Sequence, residues 1–273
     1  MTTPILLTSY NTVNSKPNQL NLNLPLPQTF RGEEVALSKL ILYNSWRNIT
    51  AAYGNNTVSY IFNGTTYSIT FDDVFLTIED ISGYIQQQMQ NRGQYLLDNT
   101  GTPVYFISLA TNIAYYAATL TCTPIPTSLP TGWTNPNSIA LSGQVPQLVI
   151  TNANFGLLIG FATGTYPATA QSTQYMVNST IVPQIAPVTS VNVCLNMVNN
   201  CRFNSYPNVI HTFSTTVAYA SQIVEQPQNL VFYPLTDGTY NAVTITLRDQ
   251  NNRDLPIVDT TGISATLIVR KRG

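Results

Sequence analysis

The last third of the chain alternates apolar and polar residues with a period of two. Three runs show it, and their apolar positions are Val191, Val193, Leu195 and Met197, then Val243, Ile245 and Leu247, and finally Ile263, Ala265, Leu267 and Val269. Alternation of this kind is typical of strands that bury one face, and antiparallel sheets produce it because only one of their faces needs to meet a core. The second and third runs flank a polar loop, 249–254, whose Asp and Asn residues favour turns. The pattern predicts that residues 189–273 frame a β-sandwich.

Further upstream, residues 34–43 form a predicted strand that is apolar enough to be covered on both faces. Two more strands, 57–62 and 65–71, are joined by Asn63 and Gly64, the preferred pair for a two-residue type I′ hairpin. This turn fixes the register, whose facing pairs are Phe62 with Thr65, Tyr60 with Tyr67, and Val58 with Ile69.

One helix is predicted, over residues 77–91. Thr77 caps its start, Asp80 occupies the capping-box position, and Gly93 supplies the stop. The apolar positions recur at helical spacing, at Ile78, Ile81, Ile85 and Met89. A single apolar face implies that the helix packs against the sandwich.

The remaining segments give less regular patterns. Residues 1–32 contain four prolines and are predicted to form an irregular, extended arm with one apolar edge, supplied by Leu20, Leu22, Leu24 and Leu26. Two placements of this arm are open, along a neighbouring subunit or along the protein's own sheet. Between 103 and 187, long loops alternate with strand-like runs at 104–109, 113–123 and 147–151. The loop between the last two runs is rich in proline and contains Trp133, and loops of this length are usually functional or interfacial.

Composition changes the picture of the surface. Only 8% of the residues are Asp, Glu, Lys or Arg, against about 25% in an ordinary soluble domain, and the chain has 16 Tyr and 10 Phe. One interpretation is that all-β chains rich in Thr, Val and Tyr are often light in charge. The other is that other proteins cover much of the surface, because interfaces are depleted in charge and enriched in aromatic residues. We favour the second interpretation, an assembly.

The charge and the apolar windows exclude several classes of partner. The net charge of −1 argues against a nucleic-acid-binding surface, and we expect no nucleic-acid contact. Arg270, Lys271 and Arg272 form a small basic tail, which we interpret as a solvated terminus. We expect no secretory signal, since no basic residue precedes Lys16, and no membrane span, since the most apolar window, 155–161, is too short.

The sequence offers little for catalysis. His211 is the one histidine, lies in an apolar run and has no G-x-S-x-G motif beside it, so we interpret it as structural. No lysine follows the glycine spacing at 156, 160 and 164, so these are predicted to be turn and packing glycines. Carboxylates pair only as neighbours in sequence, at Glu33 and Glu34, Asp72 and Asp73, and Glu79 and Asp80. We predict no catalytic, cofactor-binding or metal-binding residues, no cofactor and no enzymatic activity.

Cysteine and asparagine motifs add no site. Cys122, Cys194 and Cys201 are odd in number and fit no zinc spacing. Cys194 and Cys201 are near enough in sequence to approach each other, but we predict buried thiols and folding inside a cell. The sequons at Asn48, Asn55, Asn63 and Asn178 are attributed to the abundance of Asn and Thr.

A series of motifs runs in order along most of the chain. In the C-terminal block they are Asn199-Asn200, Val209-Ile-His-Thr-Phe213, Gln228-Asn-Leu-Val-Phe-Tyr-Pro-Leu235, Val243-Thr-Ile-Thr-Leu-Arg-Asp-Gln-Asn251 with Asp254-Leu255, and Ala265-Thr-Leu-Ile-Val-Arg270. Upstream they are Ala36-Leu37 with Tyr43, the helix start at 77–85, and Phe155-Gly-Leu-Leu-Ile-Gly-Phe161. In this order and spacing they resemble the penton (minor capsid) proteins of virophages and polinton-like viruses. The arm and residues 95–145 match nothing in that family.

This resemblance implies an all-β fold, a single jelly-roll β-sandwich with an insertion and one short helix. Residues 1–72 would be the arm and first strands, 73–187 the helix and insertion, and 188–273 the last strands, with the first and third segments forming one composite domain. The resemblance also implies a structural capsid protein without catalytic residues. It would form homopentamers at the five-fold vertices of an icosahedral virion, among major capsid proteins of double-jelly-roll type.

A second function stays open at this point. Jelly rolls also serve as carbohydrate-binding or receptor-binding modules, such as lectins and fibre heads. Trp133 motivates this alternative, because an aromatic side chain in a long loop can stack on a sugar ring. The competing interpretation is that Trp133 anchors its own loop or a subunit contact.

Overall fold

The structure, a computed structural model, describes residues 2–13, 16–199 and 208–273. The chain divides into two compact units. The first unit consists of Met1–Arg47 and Val188–Gly273, and the second unit of Asn48–Pro187. Across the described ranges, none of the helices combines the length and the apolar character that a bilayer crossing requires.

The elements alternate between the units along the chain. The first unit begins with β1 Thr2–Thr8, β2 Thr12–Val13, β3 Lys16–Phe30 and β4 Glu33–Tyr43. The second unit contributes β5 Thr57–Phe62, β6 Thr65–Thr70, α1 Ile78–Asn91, β7 Leu96–Leu97, β8 Pro103–Val104, β9 Ile107–Asn112, β10 Ala117–Cys122, β11 Gln147–Ile150, α2 Ala153–Ile159, β12 Gly164–Tyr166 and β13 Tyr175–Asn178. The first unit ends with β14 Ser190–Leu195, β15 Val209–Ser214, β16 Gln222–Glu225, β17 Tyr233–Pro234, β18 Gly238–Asp249 and β19 Ser264–Lys271. Short 3₁₀ turns occupy Ser9–Asn11, Ala51–Tyr53 and Ile113–Tyr115.

The first unit is a jelly roll. Eight of its strands form two sheets, with the orders β1-β19-β4-β16 and β15-β14-β18-β3. Numbered along the chain, they pair antiparallel as first with eighth, second with seventh, third with sixth and fourth with fifth. A long hairpin wound around itself gives this pairing, which is the double Greek key of a jelly roll. The predicted jelly-roll sandwich is confirmed, and the second unit is inserted in sequence between its third and fourth strands, β4 and β14.

The inward faces of both sheets form one apolar core. Its fully buried members include the alternating residues of β18 and β19 that the sequence pattern picked out, such as Val243, Ile245, Leu247 and Leu267. Burying a side chain of this size contributes about 1.5–3 kcal/mol. The alternation therefore identifies the main source of the stability of this unit.

Most of residues 2–13 and 16–30 form strands of the jelly roll, so this segment is extended, as predicted, but regular rather than irregular. β1 pairs with β19 along its whole length, and β3 pairs with β18. The second ladder breaks between Asn23 and Gln28 of β3, which pair with Ala242 and Tyr240. The four residues in between bulge out of the ladder, so their two prolines interrupt no hydrogen bond. Prolines that suggested a loop instead mark a bulge.

The boundary of the inserted unit also differs from the sequence division. The sequence division falls at 72/73, whereas the structure divides the chain at 47/48. The reason is that β5 pairs with β11 as well as with β6, and β11 lies within the second unit. The hairpin is therefore tied to the insertion by its own backbone hydrogen bonds.

The second unit contains three small sheets around its own core. Their strand orders are β12-β11-β5-β6, β13-β10-β9 and β7-β8. The predicted hairpin register is confirmed, including Tyr60 opposite Tyr67. Its turn residues Asn63 and Gly64 have φ values of 48° and 78°, as a type I′ turn requires. Turn chemistry and apolar pattern thus act together in fixing this hairpin.

Helix α1 is confirmed, but its apolar face packs in the core of the second unit rather than against the jelly-roll sandwich. Its polar side chains cover the edge of a sheet. Thr77 and Asp80 form the predicted capping box. Along β9, the Glu79 carboxylate accepts the Thr111 N–H at 2.7 Å and the Ser82 hydroxyl accepts the Leu109 N–H at 2.9 Å. Gln86 continues the series by donating to the Ile107 carbonyl. An uncovered edge strand would expose these groups to pairing with other chains, and the helix prevents it.

We expect Ser82→Ala to lower the free energy of unfolding by about 1–3 kcal/mol, because the buried Leu109 N–H loses its acceptor. Urea unfolding followed by circular dichroism measures the change. The control is Gly83→Ala, one residue further along the same helix, where an added methyl group meets nothing within 4 Å. Its helix propensity should raise stability by about 1 kcal/mol. Equal shifts in both variants would contradict the role of the hydroxyl.

Two apolar segments of the second unit adopt other structures than predicted. Residues 113–115 form a 3₁₀ turn rather than the start of a strand, and the strand β10 begins only at Ala117. The apolar window around 155 contains a second helix, α2, which the single-helix prediction missed. Asn152 caps that helix through its side-chain oxygen, and Gly160 ends it with a φ of 82°.

Candidate functional site

The residues considered for catalysis are engaged in structural contacts. In the first unit, Nε2 of His211 on β15 lies 2.9 Å from Oε1 of Glu225 on β16, and its ring stacks on Phe213. This pair joins the edge strands of the two sheets. Among the described residues, no three His, Cys, Asp or Glu side chains come together as a metal ion would require.

The adjacent carboxylates belong to three separate structural features. Glu33 and Glu34 form ion pairs with Lys271 and Arg270, at 3.1 and 2.6 Å. Arg270 and Lys271 therefore lie at the end of β19 and are paired, which corrects the interpretation of these residues as a solvated tail. Asp73 accepts the Ala51 N–H, and the third pair, as described above, starts helix α1.

The thiols of the described residues are buried, and so are two of the four sequon asparagines. Burial raises the pKa of Cys122 to about 12 and that of Cys194 to about 11, so both stay protonated. Cys201, and with it the possible Cys194–Cys201 pair, lies outside the described residues. Asn48 and Asn55 are buried and use their amides to tie backbone segments of the second unit together. Their side chains are structural.

Trp133 packs against the core of the second unit. Its backbone N–H donates to the Pro130 carbonyl, and the next residue, Thr134, pairs with Leu97. The indole is half-buried rather than presented to solvent. This placement favours the interpretation in which Trp133 anchors its own loop.

The most exposed group of apolar side chains in the second unit lies at the β9–β10 turn. Ile113, Tyr115 and Tyr116 on this turn are 80%, 73% and 76% exposed, and Val182 from a separate segment is 61% exposed. We call these four residues the turn patch. Ile113, Tyr116 and Val182 line one groove of about 390 Å³, and Pro183 and Ile185 also line it. An apolar turn has the composition of a strand, so the sequence pattern alone does not reveal this site.

The groove is almost free of charge. Glu79 is the charged side chain among its described lining residues. Burial acts to raise the pKa of Glu79, but hydrogen bonds from Thr111 outweigh it, and the pKa lies below its ordinary value. The carboxylate is thus ionised, and it already accepts a hydrogen bond from Thr111 on the edge strand β9. What the groove offers to a partner is apolar contact.

The backbone around the turn patch is held in place by hydrogen bonds. Tyr116 donates its N–H to the Ile113 carbonyl and adopts the left-handed conformation, with a φ of 49°. On the second segment, the Ser179 hydroxyl accepts the Ala118 N–H at 3.0 Å and donates to the Ile181 carbonyl at 2.9 Å. These bonds fix the turn and the segment that carries Val182 side by side.

Fold and surface define a class: a jelly roll with a large insertion and a neutral, partly apolar exterior. Comparison with protein-family models gave no match, and no curated protein sequence matches. Among solved structures, matches to this chain are found. The mavirus penton protein has a TM-score of 0.49 and 9% identity, covering 100% of this chain and 99% of that one. A chain in the Sputnik virophage structure has a TM-score of 0.42 and 12% identity, covering 99% of this chain and 97% of that one.

Proposed function

We propose that this protein is a structural component of a viral capsid, a penton that forms homopentamers at the five-fold vertices of an icosahedral shell. In this function it performs no reaction. Its partners are further copies of itself and a major capsid protein of double-jelly-roll type, and its location is the virion. The ordered series of sequence motifs that resembles virophage pentons supports this proposal.

The observation that carries the proposal is neutral, apolar surface left open on a jelly roll. Besides the turn patch, the first unit exposes a set of large apolar side chains that includes Leu6, Tyr10, Leu26, Val224 and Val231. Only 8% of the chain is charged, so little electrostatic repulsion opposes association. Exposed apolar patches on a folded protein mark contacts with other molecules. Jelly rolls occur widely as capsid domains, in which such surface is covered by neighbouring subunits.

Sedimentation velocity of the purified protein over a range of concentrations tests the proposal. A homopentamer of this 30.0-kDa chain has a mass of about 150 kDa, and negative-stain images of that species should show rings with five-fold symmetry. A 30.0-kDa species at every concentration, or closed assemblies with another symmetry, would contradict the penton proposal.

The carbohydrate-binding alternative predicts a different result. A glycan array should then give specific hits with the monomer, and Trp133→Ala should abolish them while leaving the circular dichroism spectrum unchanged. Because Trp133 packs on the core of the second unit, the substitution lowers the thermal midpoint under either function, and only the loss of glycan binding distinguishes the two.

A further inference from the structure

We propose that the turn patch of the second unit is a contact surface for a second copy of this chain. This inference rests on the proposed homopentamer and assigns one of its contacts to Ile113, Tyr115, Tyr116 and Val182. Nothing in the jelly roll itself requires the insertion to take part in assembly. The assignment is argued from area, charge and backbone conformation.

The area of the turn patch suits one side of a small specific interface. An aromatic side chain presents about 150–250 Å² when free, so the two tyrosines at 73% and 76% exposure, together with the smaller Ile113 and Val182, offer roughly 400–600 Å². An equal area on the opposing copy brings the total to about 1,000 Å², the size at which specific interfaces begin. Each subunit of a closed ring makes two such contacts, so modest pairwise affinity is sufficient for assembly.

The charge of the groove selects among partners. A surface that binds anionic lipid surrounds its apolar residues with Lys and Arg, and the described lining of this groove contains neither. Its one carboxylate, on Glu79, is engaged by the Thr111 N–H. A neutral protein surface fits this groove, and a chain with 8% charged residues supplies one.

The conformation of Tyr116 is the second, independent indication. A left-handed backbone costs a residue with a Cβ about 1–2 kcal/mol, and glycine or asparagine would adopt it more easily. This conformation ends the 3₁₀ turn, where the Tyr116 N–H donates to the Ile113 carbonyl, but such a cap favours glycine or asparagine and does not require a tyrosine with most of its side chain in solvent. Strain of this kind accompanies functional positions. Here it orients an aromatic ring toward the groove shared with Val182.

Tyr116→Asn gives a test in which folding and assembly move in opposite directions. The variant should unfold at the same temperature or higher, because asparagine relieves the strain, whereas the midpoint concentration for assembly should rise about tenfold or more. Val182→Ser, on the separate segment, should weaken assembly in the same way. Leu129→Ser, at an exposed apolar position in the proline-rich loop, should leave assembly unchanged. Sedimentation velocity and differential scanning calorimetry give the two readouts.

The outcomes separate this inference from the penton proposal. If the wild-type protein assembles and both patch variants assemble equally well, the turn patch is not the contact and the penton proposal stands. If the wild-type protein is monomeric throughout, both fail. Binding of the monomer to mixed phosphatidylcholine and phosphatidylserine vesicles, lost in Tyr116→Asn, would overturn the inference in favour of a lipid surface.

Discussion

Asp249→Ala is expected to lower the free energy of unfolding of the first unit by about 2–4 kcal/mol. Asp249 ends β18 and is fully buried. One carboxylate oxygen accepts the N–H groups of Asn251 and Arg253 at 2.9 and 2.8 Å, and the other accepts Nε–H of Arg253 at 2.7 Å. Alanine leaves all three donors without this acceptor. The polar loop between β18 and β19 would then lose the hydrogen bonds that hold its backbone to the end of β18.

Two further variants identify the source of the effect. Asp249→Asn keeps the shape but turns an NH₂ group toward donors, so it should lose roughly half as much stability. Asp254→Asn removes an exposed partner of Arg248, 3.3 Å away, and should cost less than about 1 kcal/mol. If the buried and the exposed substitution had equal effects, the loop would not depend on the carboxylate of Asp249.

The two tryptophans allow each unit to be followed separately. Trp46 is buried in the core of the first unit, and Trp133 packs on the core of the second. In a Trp133→Phe background, the fluorescence change on urea unfolding therefore reports the first unit alone. Asp249→Ala should shift that transition to lower urea. An unchanged urea midpoint of the Trp46 fluorescence transition would contradict the prediction.

The elements that could be predicted from the sequence are those specified by neighbouring residues. Asn63 and Gly64 determine a turn whose register agrees with the apolar pattern of both strands, so two local signals give one answer. Helix α1 is similar, because the cap at Thr77 and the apolar face lie within one segment. The strands β18 and β19 were predicted because each buries one face of a two-sheet core.

The elements that could not be predicted depend on distant partners. β3 is recognisable only beside β18, since its prolines fall in a bulge that the pairing creates. On β14, Asn192 was expected on a solvated face, but it is buried and donates to the Asp249 carbonyl at 3.0 Å. Its burial is possible because a residue 57 positions away supplies the acceptor.

The turn patch could not be predicted from the sequence, because its turn lacks the residue types by which turns are recognised. Turns are recognised by Gly, Asn, Asp and Pro, which adopt left-handed or fixed conformations at little cost. The turn at 113–116 reads Ile-Ala-Tyr-Tyr, which has the composition of a strand. The expectation of a covered, tyrosine-rich exterior came from composition alone. Only the three-dimensional structure shows which tyrosines are exposed and what lies beside them.

Gly160→Ala should be the most damaging small substitution in the second unit, with a loss of about 3–4 kcal/mol. Gly160 ends helix α2 with a φ of 82°, where an alanine costs about 1–2 kcal/mol in backbone strain. In addition, the new Cβ would collide with the Ile181 carbonyl oxygen and lie 2.7 Å from the Ser179 hydroxyl oxygen. The carbonyl is backbone and cannot rotate away, so the chain must shift.

Gly101→Ala is the matched control. Its φ of 79° is nearly the same, but an added Cβ meets nothing within 4 Å, so it carries the backbone cost without the collision. The difference between the two variants therefore measures the steric contact. Unfolding followed through Trp133 in a Trp46→Phe background gives both values for the second unit. Equal losses would show that the close approach of Ile181 has no energetic consequence.

The segment that Gly160→Ala displaces also connects stability to assembly. The Ile181 N–H donates to the Gly160 carbonyl at 3.1 Å, and the next residue is Val182 of the turn patch. A shift of this segment moves Val182 away from Tyr116 without changing either side chain. At temperatures where the variant is still folded, we therefore expect assembly to weaken as well, whereas Gly101→Ala should assemble like the wild type. A folded Gly160→Ala protein that assembles normally would mean that assembly does not depend on the position of Val182.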